Sequence, residues 1–266
     1  MSIPLTSVSN PKIREAAALR ESSERRKTGK FLIDGLREIR CALESGVQLI
    51  AVFLSEETPE VLEVLRQHSC SCPQYLISER CFDKIGFGNR NEGIIAAAQM
   101  PLRSLQWFDE QTKDCTAPLF AVLEGIEKPG NAGAVFRSAD SAGLDGILLA
   151  DANCDLFNPN VIRNSCGAVF CMPAAGSDTA AVISYLRSRR IKIAAARCGG
   201  AVPYTEFDFR QSCAIVLGSE ADGLTELWNG DDVVPISLPM CGIADSLNVS
   251  NAAAVLFYEA RRQRTL

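Results

Sequence analysis

Five short apolar runs succeed one another in the second half of the chain: Leu119 to Leu123, Gly146 to Ala150, Ile191 to Ala196, Ala214 to Gly218 and Val233 to Leu238. Each has the length of a strand and lacks regular polar alternation, the pattern of strands covered on both faces of a parallel sheet. Helical patterns lie between them, at Ala132 to Ala142, Ser177 to Arg189 and Asp222 to Trp228, and a last one runs from Val249 to Arg262. This alternation restricts the fold to the α/β class: a mostly parallel sheet with helices on both faces. In such sheets ligands are received where strands give way to helices.

The preceding half is a smaller α/β unit. Phe31 to Asp34, Leu49 to Leu54, Gln74 to Ile77 and Gly93 to Gln99 read as strands. Leu36 to Glu44, Pro59 to Gln67 and Glu79 to Ile85 read as helices, with Thr58 placed to cap the helix that Pro59 begins. Leu102 to Pro118 has no stable period and reads as a linker. The expected organisation is therefore a first domain over 1–103, a linker over 104–117 and a second domain over 118–266.

Composition excludes several function classes. The chain has 266 residues, 47% hydrophobic and 22% charged, the balance of a soluble globular protein. No apolar run approaches the ~20 residues that span a bilayer. Met1 to Arg14 has no apolar core followed by a small-residue cleavage site, so a cytoplasmic protein is expected. The eleven cysteines are odd in number and mostly sit in apolar stretches, which favours free thiols over disulfides. Cys70-Ser71-Cys72 with His68 is too few ligands for a structural zinc site, and no metal is expected. His68 is the single histidine, so relays built on imidazole are excluded. The net charge of −5 comes from residues 104–266, whereas 1–103 is close to neutral and gathers Arg20, Arg25, Arg26, Lys27 and Lys30. That cluster suits phosphate contacts, or equally a solvated helix end with Glu21 and Glu24 interleaved.

Three strings carry the chemistry. Asn131-Ala132-Gly133-Ala134-Val135-Phe136-Arg137 follows the first apolar run. Asn131 is suited to cap the next helix, and Arg137 lies six residues on. Gly218-Ser219-Glu220-Ala221-Asp222-Gly223-Leu224 directly follows a strand; Gly218 permits close approach to main chain, and Glu220 would stand at a helix entrance. Leu238-Pro239-Met240 ends another strand, and Ser246-Leu247-Asn248-Val249-Ser250-Asn251-Ala252 opens the last helix. Ordinary capping accounts for single residues in each string. It does not account for two glycines bracketing Glu220 and Asp222, nor for the whole third string. No G-x-G-x-x-G or G-x-x-x-x-G-K-[ST] fingerprint is present, which disfavours a dehydrogenase-like or nucleotide-binding protein.

In this order the strings resemble the three signature motifs of the SpoU (TrmH-like) branch of the SPOUT RNA methyltransferases. The first half is more loosely similar to the L30e-like substrate-binding domain of such enzymes, through Ser9 to Ile13, Gly29 to Gly35 and Glu92 to Ala96. The resemblance implies transfer of a methyl group from S-adenosylmethionine to a ribose 2′-hydroxyl of structured RNA, on a sheet closed by a deep trefoil knot. It implies a catalytic set of Arg137, Asn131, Glu220, Ser246 and Asn248, and cofactor contacts from Gly218, Leu238, Met240, Leu247 and Asn248. A guanidinium stays protonated and binds phosphate well. Arg137 is thus expected to fix phosphate and hydroxyl, with Asn131 and Glu220 orienting it and the base unassigned. The resemblance further implies a homodimer through the C-terminal domain, served by Val249, Ala253, Leu256 and Phe257. Departures are Ala132, Ala221 and Asn251, the last standing where a small apolar residue is usual.

The first domain is then expected to select the RNA through Arg20, Arg25, Arg26, Lys27, Lys30 and Arg90, with Asn91 beside them. An appended domain of this kind favours ribosomal over transfer RNA. The alternatives are a transfer RNA 2′-O-methyltransferase and a non-catalytic RNA-binding protein on the same fold.

Overall fold

The computed structural model describes residues 2–87 and 92–265; Arg90 and Asn91 lie outside the described residues. The chain forms two compact units, one of Met1–Pro101 with Asp155–Cys171, the other of Leu102–Cys154 with Met172–Leu266.

The first unit runs β1 (Ile3–Leu5), α1 (Pro11–Ala18), α2 (Ser22–Thr28), β2 (Lys30–Asp34), α3 (Leu36–Glu44), β3 (Leu49–Leu54), α4 (Pro59–Gln67), β4 (Gln74–Ile77), α5 (Glu79–Ile85) and β5 (Ile94–Gln99). Its sheet has the order β1-β4-β3-β5-β2, parallel from β1 to β3 and antiparallel on both sides of β5. Helix starts follow the local chemistry: Asn10 accepts from Lys12 N with Pro11 behind it, and Thr58 accepts from Val61 N with Pro59 in the first turn. Phe31, Leu32 and Ile33 of β2 are fully buried.

Arg25, expected to reach RNA, is instead interior, at 1% exposure. Its Nη1 donates to the Leu19 and Arg20 carbonyl oxygens at 2.8 and 2.7 Å, and its Nε pairs with Asp155 at 2.7 Å. The guanidinium is consumed by three protein acceptors because a buried cation must be neutralised and bonded to persist.

The second unit begins with α6 (Leu105–Thr112), inside the stretch expected as a linker. Ser104 caps it by accepting from Trp107 N, and Phe108 is fully buried, edge-on to Phe120 and Tyr185 at 5.1 and 5.8 Å between ring centroids. Gly146 makes room for that ring, since a Cβ there would lie 2.6 Å from Phe108 Cε2. There follow β6 (Leu119–Glu124), α7 (Pro129–Ala142) and β7 (Gly146–Ala150). The chain then joins the first unit for α8 (Pro159–Asn164) and α9 (Ala168–Cys171), where Phe157 and Phe170 meet Phe31 at 4.7 and 6.0 Å. It returns with β8 (Ala174–Ser177), α10 (Thr179–Ser188), β9 (Lys192–Ala196), β10 (Val202–Pro203), β11 (Cys213–Leu217), β12 (Val233–Ser237) and α11 (Val249–Thr265). The seven strands form one parallel sheet in the order β10-β12-β9-β11-β6-β7-β8, confirming the expected α/β class.

Helix α11 buries Val249, Ala253, Leu256, Phe257 and Ala260, spaced as one helical stripe, and it packs on α7. Four of these were expected at a dimer contact; they belong to the chain's own core. Among the described residues no two cysteines form a disulfide. Among the described residues no three His, Cys, Asp or Glu side chains group to hold a metal ion, and no helix is long and apolar enough to cross a membrane.

Candidate active site at the C-terminal edge of the parallel sheet

From β6 the sheet grows outward in one direction through β7 and β8, then resumes on the other side of β6 with β11 and β9. The order of strands therefore reverses between β6 and β11, which makes their carboxyl ends the usual ligand position in an open α/β sheet. All three strings leave the sheet at that edge: the first after β6, the second after β11, the third after β12.

Asn131 joins them. Helix α7 starts at Pro129 with Lys128 in the cap position, so Asn131 stands at the third helical residue and does not cap the helix as expected. A proline with φ already fixed nucleates the turn two residues earlier. The amide is thereby left for tertiary bonds: Nδ2 donates to Glu220 Oε1, and Oδ1 accepts from Asn248 Nδ2 at 3.4 Å. One side chain thus ties a residue of each string.

The second string does not open a helix. Ser219 and Gly223 form a two-way backbone bridge, 3.1 Å from Ser219 N to Gly223 O and 3.2 Å in return, and Ser219 Oγ accepts from Asp222 N at 3.0 Å. Gly223 has φ +68, and a Cβ on Gly218 would overlap the Gly223 carbonyl group and stand 2.5 Å from Leu224 N. The two glycines close a tight turn with Glu220 exposed at its tip, and between it and β12 the chain makes a single 3₁₀ turn at Glu226–Trp228. Capping the expected helix would have required the backbone to stay in the α region, which Gly223 leaves.

In the third string, Pro239 through Asn248 are all exposed. Asn248 caps α11, its Oδ1 accepting from Ser250 N at 3.0 Å and Ser250 Oγ at 2.6 Å. Ser246 is exposed in the loop before it. Arg137, two turns into α7, is exposed, and its side chain makes no hydrogen bond or ion pair among the described residues. Asn131, Glu220 and Asn248 are thus brought together, whereas no hydrogen bond links Arg137 or Ser246 to them.

The expected cofactor residues are of the right chemistry. Gly218 and Leu238 are half-buried at strand ends, while Met240 and Leu247, 36% and 40% exposed, offer apolar surface within a stretch of exposed main chain. An adenosine and a methionine tail call for that mixture of apolar wall and backbone donors and acceptors. Burial pushes the Cys213 thiol of β11 up to about 11, so this strand supplies no thiolate nucleophile.

Four polar residues near this edge, Glu124, Thr179, Thr225 and Arg197, escaped the sequence reading. Glu124 ends β6 nearly buried; its Oε1 accepts from Thr179 Oγ1 at 3.0 Å and Thr225 Oγ1 at 2.8 Å, and its Oε2 accepts from Thr225 N at 2.8 Å. Arg197, just past β9, donates to the carbonyl oxygens of Leu224 and Thr225 at 3.3 and 3.0 Å, and to Asn229 Oδ1 at 2.8 Å. The available signal was a carboxylate closing an otherwise apolar buried strand.

In the first unit, Arg20, Arg26, Lys27 and Lys30 are exposed. Arg20 lies over the Phe87 ring at 5.1 Å, Arg26 donates to Ser22 Oγ, and Lys27 pairs with Glu24 at 3.3 Å. Arg90 lies outside the described residues.

Comparison with known proteins places these features. Residues 118–258 match the SpoU rRNA Methylase family, and residues 10–96 match the MRM3-like substrate binding domain. The chain is 29% identical to the Bacillus subtilis (strain 168) 23S rRNA (guanosine(2553)-2'-O)-methyltransferase RlmP, covering 97% of this chain and 98% of that one. It is 30% identical to the 23S rRNA (uridine(2479)-2'-O)-methyltransferase of Streptomyces viridochromogenes, covering 93% and 88%. A crystal structure of an RNA 2'-O ribose methyltransferase superposes with a TM-score of 0.85 at 37% identity, over 99% of this chain and 100% of that one. The SpoU methyltransferase AviRb from Streptomyces viridochromogenes, in complex with AdoMet, does so with 0.86 at 28% identity, over 96% and 98%. A family match over more than half of the chain, with relatives alike from end to end, shows that this chain belongs to the SpoU rRNA methylase family.

Proposed function

We propose that this chain transfers a methyl group from S-adenosylmethionine to a ribose 2′-hydroxyl of ribosomal RNA. The observation that carries the reading is the Asn131 amide bonded to both Glu220 and Asn248, because it converges three separate strings at one edge of the sheet. When bound, S-adenosylmethionine supplies a methyl group already activated by its sulfonium. Gly218, Leu238, Met240, Leu247 and Asn248 hold it through backbone groups and apolar side chains. What the chain must add is position: a hydroxyl held in line with the methyl gains most of its rate from orientation. Arg137, exposed and without a protein partner among the described residues, grips the phosphate next to the target ribose and directs its hydroxyl. Asn131 and Glu220 hold the loops around it, and Ser246 contacts the substrate.

The exposed Arg20, Arg26, Lys27 and Lys30 bind the RNA fold, whereas Arg25 serves the core of its own unit. The active form is a homodimer, cytoplasmic, with the C-terminal segment drawn through a trefoil knot. Its interface uses Ile243 and the outward stripe of α11 at Val255 and Tyr258, which are exposed apolar groups.

The test is methylation of ribosomal RNA by the purified chain, with 2′-O-methyl mapping, set beside calorimetric binding of S-adenosylmethionine. Arg137→Ala is expected to lose about 10²-fold or more in kcat, the scale of a lost transition-state donor, while donor affinity is kept. A base-methylated product, or full turnover by Arg137→Ala, overturns the reading.

A further inference from the structure

Glu220 stands at the tip of a turn that no helix supports. Its position is set at one end by β11, whose register with β6 pairs Leu217 with Leu123. The other end is the segment Leu224–Thr225, and four protein hydrogen bonds fix it. Glu124 accepts from both the backbone N–H and the hydroxyl of Thr225, and Arg197 donates to the carbonyls of Leu224 and Thr225. Thr179, at the first residue of α10, gives Glu124 a third donor. The bridge from Ser219 to Gly223 makes the turn between these ends one closed piece, so a shift at Thr225 is passed on to Glu220 and thence to Asn131.

A carboxylate at 3% exposure is a costly choice for mere stability, since an apolar residue of similar size does as well or better there. Fully bonded, it specifies geometry instead. We propose that Glu124 and Arg197 are positioning residues that clamp Leu224–Thr225, the one through its N–H and hydroxyl and the other through its carbonyls, and thereby fix the donor-binding turn Gly218–Gly223. The clamp acts on S-adenosylmethionine affinity without touching the reacting atoms. This inference rests on the methyl-transfer reading.

The experiment is calorimetric titration of the full chain with S-adenosylhomocysteine, which needs no turnover. Thr225→Val keeps shape and the backbone N–H but removes the hydroxyl donated to Glu124. It should weaken binding about tenfold, the scale of one hydrogen bond to a charged group, and Thr225→Ser should restore it to within about twofold. Glu124→Gln, which keeps one acceptor, should fall as far as Thr225→Val, with KM for S-adenosylmethionine raised more than kcat is lowered. If the wild-type chain binds S-adenosylhomocysteine and Thr225→Val binds it equally well, the clamp is overturned and methyl transfer stands. If the wild type binds none, methyl transfer itself falls and the clamp with it. Should Glu124→Gln fail to fold, the Thr225 pair alone decides.

Discussion

Two residues before Asn131, Pro129 begins the helix, and that small displacement changes what the amide does. Composition marked Asn131 as a cap; a residue at the third helical position has its side chain free, and here it is spent on Glu220 and Asn248. Arg25 shows the reverse. Amid Arg20, Arg26, Lys27 and Lys30 it looks like one more phosphate contact, yet only the fold brings Asp155, 130 positions away, to its Nε. Charge patterns were legible; partners distant in sequence were not. Asp34 carries a pH consequence. Desolvation, with Glu92 and Glu38 adding to it, raises its carboxyl above 3.8, against the opposing Phe87 N–H and Arg163. A raised carboxyl pKa contributes stability fully present below the unfolded value and lost as pH rises through the folded one. Asp34→Asn keeps an acceptor for Phe87 N. Its stability relative to wild type, measured by urea unfolding, should therefore improve as pH is raised from about 3.5 to about 7. A constant difference across that range contradicts the assignment.

At the scale of elements, the five apolar runs became β6, β7, β9, β11 and β12 with no end displaced by more than one residue. Continuous burial in a parallel sheet leaves a strong sequence signal. Among the elements that were missed, β8 reads Ala-Ala-Gly-Ser, β10 has two residues, and α6 mixes charge with aromatic side chains, all weak patterns; β1, α1, α2, α8 and α9 were not read either. The turn at Gly218–Gly223 was read as the start of a helix because its composition matches a cap; only the clash a Cβ would meet at Gly218 and the positive φ of Gly223 distinguish the two. Helix α6 offers a direct check. Phe108→Ala removes a fully buried ring packed on Phe120 and Tyr185, and should cost about 3–5 kcal/mol in the unfolding transition. A true linker would tolerate the change with no measurable loss.

For the whole molecule, the distribution of thiols follows from the two cores. Cys171, Cys198 and Cys241 are exposed, whereas Cys81 and Cys213 are buried. Burial first, then the neighbouring Cys171, pushes the Cys41 thiol up to about 12, and burial takes Cys213 to about 11. Alkylation of the native chain at neutral pH, followed by mass spectrometry, should modify the three exposed thiols well before Cys81, Cys213 or Cys41, since only thiolate reacts. Early loss of Cys213 would contradict the burial of β11. The path of the backbone has its own outcome. Asp155–Cys171 is encoded within the catalytic half but packs around Phe31 of the other. No single cut in the gene therefore separates the two folds, and a recombination event that exchanged one substrate module for another would also have to import a matching internal patch.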